Sequence, residues 1–64
     1  MKKYLGSIVA VRFTGKGMEL GTAAVRLQAE NINDALAAAE LLAKSKWPPG
    51  DFWGNHSAAV DEEV

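Results

Sequence analysis

The stretch Val25–Ala43, VRLQAENINDALAAAELLA, changes periodicity once, and that change decides the fold. Val25, Leu27 and Ala29 alternate with Arg26 and Gln28, the period of a half-buried strand. Beyond Glu30 the spacing becomes three and four: Ile32, Ala35, Leu36, Ala39, Leu42 and Ala43 line one side of a helix. The switch falls at Asn31, whose side-chain oxygen can accept from the unpaired N–H groups of a first turn, and Asp34 can reach back or favour the positive helix end. Asn31 is therefore the expected N-cap, with Asn33 as the alternative. The segment is rich in alanine and sets Glu40 four residues before Lys44, so the helix is expected to persist to about Lys46.

Upstream, Met18–Ala29 reads as one strand, with Gly21 the expected bulge where alternation slips. Ala23, Val25, Leu27 and Ala29 should face the core, and Thr22, Ala24, Arg26 and Gln28 should face outward. Thr14-Gly15-Lys16-Gly17 is expected to close a hairpin. A phosphate-binding loop is excluded there because a strand follows, where that motif needs a helix N-terminus. Tyr4–Thr14 is the first strand, with Leu5, Ser7, Val9, Val11 and Phe13 expected beneath the helix and Tyr4, Ile8, Ala10 and Arg12 on the other face.

Downstream, Trp47-Pro48-Pro49-Gly50 ends the helix, because proline cannot continue it. Trp47, Phe52 and Trp53 then surround a rigid turn. At least two should close the open end of the core, and a third left exposed would anchor another molecule. Asn55–Val60 reads as a short third strand, and Asp61-Glu62-Glu63-Val64 as a frayed acidic tail. The expected architecture is α+β, a single domain over residues 1–64: a small antiparallel sheet with one helix packed on one face, in the order β-β-α-β.

A chain of 64 residues is close to the lower limit for a self-sufficient core, and it has no cysteine to staple it. Missing stability would have to come from self-association or a partner. Arg12 interrupts the apolar run of MKKYLGSIVAV, so neither a signal peptide nor a membrane span is expected, and no membrane association; the cytoplasm is the expected compartment. The net charge of −1 is unevenly spread. Lys2, Lys3, Arg12, Lys16 and Arg26 precede a second half dominated by acids, which suggests a basic sheet and an acidic helix and tail.

Catalysis finds little support. His56 is the only histidine, and its neighbours Ser57 and Asp51 do not by adjacency form a nucleophile, base and orienter. A surface or turn histidine is expected, with no metal and no cofactor. Nucleic-acid binding would use Tyr4, Arg12, Arg26 and Gln28 on the outward sheet face, but overall neutrality removes its electrostatic drive. Protein binding is favoured by apolar residues out of pattern. Leu41 lies half a turn from the buried stripe beside Ala37, and a small sheet leaves an edge unpaired for augmentation or a homodimer seam.

The run Ala29-Glu30-Asn31-Ile32-Asn33-Asp34-Ala35-Leu36-Ala37-Ala38-Ala39-Glu40 resembles the strand-to-helix junction A-E-[TSN]-[LI]-x-[DE]-A-L-x-x-A-E of very small bacteriophage proteins that disable a host machine. Early phage inhibitors of host RNA polymerase share this length and order, Pro48-Pro49-Gly50-Asp51-Phe52 is similar to their Pro-Gly turn, and small anti-CRISPR proteins share the junction. The resemblance implies a compact non-enzymatic protein that inhibits a host protein complex sterically. The polymerase inhibitors carry arginines on the last strand, and none lies between Asn55 and Val64. The candidate contacts are therefore this sequence's own exceptions: Leu41, Ala37, Tyr4, Arg12, Arg26, Trp53, Asp61 and Glu62.

Overall fold

In a computed structural model that describes residues 1–63, Gly15 and Lys16 alone separate two long strands, β1 (Lys2–Thr14) and β2 (Gly17–Ala29). Thr14 Oγ1 accepts from the Lys16 N–H at 3.1 Å and donates to Gly17 O at 3.2 Å, tying the turn together. Gly17 has φ of 124°, which a side chain would strain. Helix α1 (Ile32–Lys46) follows, then a 3₁₀ turn at Pro49–Asp51 and strand β3 (Trp53–Glu62). The sheet order is β2-β1-β3, all antiparallel, with the helix on one face. The expected α+β architecture and element order are those observed.

The helix entrance follows the sequence. Asn31 is extended, and its Oδ1 accepts from the Asp34 N–H at 2.9 Å. At the other end the Trp47 N–H bonds Ala43 O, and Pro48 turns the chain extended. Ala35, Ala39 and Ala43 are wholly buried, and their small side chains let the helix lie close on the sheet. The core forms two adjoining clusters: Tyr4, Ala29 and Ala35, and then Ile8, Ala10, Ala39, Ala43 and Trp47. Ile32 and Leu42, expected within the stripe, lie at its end and rim and are about half exposed.

The first strand is turned over relative to expectation. Tyr4, Ile8 and Ala10 lie beneath the helix and Arg12 shares their face, whereas Leu5, Ser7, Val9, Val11 and Phe13 occupy the opposite one. The hairpin fixes this. A two-residue turn that pairs Thr14 with Gly17 also pairs Tyr4 with Leu27 and Gly6 with Val25, and directly opposed residues share a face. Ala23, Val25, Leu27 and Ala29 face the core as expected, so the even-numbered residues of β1 must as well.

Gly21 is no bulge, because the β1–β2 register runs unbroken through it. Its missing side chain makes room for Trp47: a Cβ there would lie 2.5 Å from Cε2 and Nε1 of the indole. The bulge lies instead between β1 and β3, where Ala10 opposes both Asn55 and His56, and Asn55 takes φ of 51°. The extra residue brings Trp53 and His56 to the same side of the sheet, beneath Trp47. Strand β3 is longer than expected, and the acidic tail does not fray through Glu63: Asp61 and Glu62 pair with Leu5 and Tyr4, and the Glu63 N–H donates to Lys3 O at 2.8 Å. Val64, also placed in that tail, lies outside the described residues.

Candidate functional site

One end of the helix-covered side is a locked aromatic corner. Trp47 and Trp53 rings stand 6.0 Å apart at 45°, and the Arg12 guanidinium lies 4.8 Å above the Trp53 ring. The same guanidinium pairs with Glu19 at 2.7 Å and donates to Asp51 O at 3.4 Å, joining hairpin to 3₁₀ turn. His56, expected on the surface, is half-buried; its Nε2 donates to Trp47 O at 2.7 Å and so holds the helix C-cap. Among the described residues no group of three His, Cys, Asp or Glu side chains gathers to hold a metal, and no helix is long and apolar enough to cross a membrane.

This geometry scatters the candidate contacts. Tyr4, expected outward, is 2% exposed and belongs to the core. Arg12 and Trp53 are occupied with each other, so Trp53 is not the free aromatic. That part falls to Phe52, 83% exposed and held at φ of 68°. Glu62 pairs with Lys2 at 3.7 Å at the sheet end. Leu41 and Ala37 stand together on the outer face of the helix as expected, Leu41 being 69% exposed. Arg26 and Asp61 reach the sheet face away from the helix, on opposite sides of Leu5.

That uncovered face is ordered along its length. At one end Gln28, Lys3 and Glu63 lie side by side, followed by the row Arg26, Leu5, Asp61. Small residues come next, with Ala24, Ser7 and Ala59 in one row and Thr22, Val9 and Ser57 in the following one. At the hairpin end Val11 opposes Leu20 and Phe13 opposes Met18. Phe13, Met18 and Leu20 are 70%, 62% and 61% exposed. A shallow depression of about 470 Å³ runs between Leu5, Ser7, Arg26, Ala59 and Asp61. The face thus grades from charged through small to apolar, and none of the described residues covers it.

Sequence reasoning placed Val9, Val11 and Phe13 in the core, and so missed this patch; the turn length held the signal. Comparison with protein-family models, with curated proteins and with solved structures returns no match.

Proposed function

We propose that this chain is a non-enzymatic accessory protein of the phage-encoded type, acting in the bacterial cytoplasm, that binds a host protein complex of the transcription or defence machinery and inhibits it by occupying a surface. One observation carries the reading: large apolar side chains stand in water away from the core. The fully buried positions are mostly alanine with Ile8, Tyr4 and Trp47, while Leu41 on the outer helix face and Phe52 on the turn are exposed. Exposed apolar groups gathered on particular faces mark contact surfaces. The junction from Ala29 to Glu40, which resembles that of the phage inhibitors, supports the class.

Leu41 is the favoured anchor for the host partner. It projects from a rigid helix with Ala37 one turn before it, and Lys44 and Ser45 on the following turn supply a polar rim. Charges at such a rim choose the partner and steer the encounter more than they hold it. A nucleic-acid partner is less favoured, because Tyr4 is buried and Arg12 is engaged with Glu19, which leaves only Arg26 and Gln28 of the four residues it would use.

The test is retention of a host complex from bacterial lysate on the tagged wild-type protein and on Leu41→Asp. The wild type should retain a defined multi-subunit complex and the variant should lose it, with an unchanged far-ultraviolet circular dichroism spectrum. Equal retention by both proteins, or none by either, overturns the proposal.

A further inference from the structure

We infer that the uncovered sheet face is a homodimer interface, in which two copies pack face to face about a twofold axis parallel to β1. This surface is distinct from the outer helix face assigned to the host, and the inference does not depend on that assignment. Of three observations, the charge pattern selects a second copy as the occupant, and the area and relief of the face give it room.

The first is charge pattern. In the row Arg26, Leu5, Asp61 the two charges lie on opposite edges of the sheet, about 10 Å apart at two strand spacings. Neither has an ion-pair partner among the described residues. A twofold axis along β1 keeps each row at its own height and exchanges the edges. Arg26 then meets Asp61 of the second copy, and Asp61 meets Arg26, while Leu5 meets Leu5. The same operation lays Phe13 and its apolar neighbours on their own counterparts. An axis across the strands would instead set the charged end against Phe13 and Met18. At the charged end Gln28 meets Glu63 and Lys3 meets Lys3 of the second copy, a like-charge contact that weakens that end; the Arg26–Leu5–Asp61 row and the apolar end match themselves under the one twofold operation that an isologous interface requires.

The second observation is area. A folded monomer of 6.8 kDa should expose about 4,000 Å² by the usual scaling. This chain exposes 4512 Å² and measures 43 × 19 × 13 Å, a thin slab with one broad face bare. Strands of 13, 13 and 10 residues, at about 3.3 Å per residue and about 4.8 Å spacing, give a flat footprint of about 570 Å² per copy, so two copies would bury about 1,100 Å², at the lower end of specific interfaces.

The third is relief. Ser7, Ala24, Ala59 and Ser57 leave the middle of the face low and flat, so a second sheet can approach to the ~10 Å separation of aligned sandwiches. The dimer is a six-stranded sandwich with the helices outermost, and both Leu41 side chains remain free.

Sedimentation velocity across a concentration series tests this on the untagged full chain. Wild type should pass from monomer to dimer as concentration rises. Phe13→Asp, at a site exposed in the monomer, should raise the dimer dissociation constant by at least about a hundredfold without loss of helical signal. Arg26→Asp and Asp61→Arg should each weaken the dimer, and the double variant Arg26→Asp/Asp61→Arg should restore it, because the exchanged charges meet again across the axis. A strictly monomeric wild type, an unaffected Phe13→Asp dimer, or additive charge effects in the double variant would each overturn the inference. Leu41→Asp should dimerise as wild type does, so loss of host binding and loss of dimerisation are read separately.

Discussion

Replacing Gly21 with alanine should destabilise the protein although alanine suits a strand better than glycine. Alanine in place of glycine reduces the freedom of the unfolded chain and on its own stabilises by about 0.4–1 kcal/mol. Against that, the new Cβ would lie 2.5 Å from Cε2 and Nε1 and 2.9 Å from Cζ2 of the Trp47 ring. The indole is poorly placed to yield. Its backbone N–H is bound to Ala43 O, its carbonyl is held by His56, and its ring packs on Trp53. Expelling the ring altogether would forfeit about 4–6 kcal/mol, from the 150–250 Å² an aromatic buries at about 25 cal/mol per Å². Partial displacement, as in other overpacked cores, costs about 1–3 kcal/mol. The net expectation is a loss of about 1–2 kcal/mol, out of the ~3–10 kcal/mol that 64 residues command. Urea unfolding followed by far-ultraviolet circular dichroism measures it, at one fixed protein concentration because dimerisation would shift the midpoint. The same substitution in a Trp47→Phe background, where the outer ring atoms are gone, should cost at least ~1 kcal/mol less. A stabilised Gly21→Ala protein, or a cost that is the same in both backgrounds, would refute the close approach of Trp47 to β2.

Two further substitutions test local geometry. Asn31→Ala removes the acceptor for the Asp34 N–H and should cost about 1 kcal/mol, lowering Tm by roughly 4–8 °C, so an unchanged Tm would remove the cap from the account. Phe52→Gly relieves a left-handed backbone conformation at a side chain that buries little, and should raise Tm by roughly 2–5 °C in thermal melts; a fall would mean that the ring supports the fold.

The helix was readable because its signals are local. Asn31, the alanine-rich run and Trp47-Pro48 each fix a boundary within a few residues, and all agree. The face of β1 was not readable from hydrophobicity, because the odd-numbered set Leu5, Val9, Val11 and Phe13 is the more apolar, yet the even-numbered set with Gly6, Ile8 and Ala10 lies inside. Volume and register outweigh hydropathy there: small residues admit the helix, and the Gly15-Lys16 turn fixes which parity meets Val25. Gly21 was misread because a bulge and a close approach leave the same glycine in a sequence, and only the position of Trp47 separates them. Of the residues singled out as contacts, Leu41 and Ala37 are exposed as helical spacing alone predicts. Tyr4 and Arg12 turn to the helix side with the inverted strand, and Phe52 rather than Trp53 is the aromatic left in water, because the bulge at Asn55 leaves Trp53 facing Trp47.

Which side of β1 faces the helix decides both the core and the surface left to bind. The chain contains no cysteine, so a single introduced thiol reports directly. Ser7→Cys and Ile8→Cys are compared for their rate of modification by a small disulfide reagent in dilute native solution. The Ser7→Cys thiol should react as a free thiol and become protected as concentration rises and the dimer forms, whereas Ile8→Cys should stay protected at every concentration until the protein unfolds. Fast modification of Ile8→Cys in the folded protein, with Ser7→Cys protected at high dilution, would contradict the account.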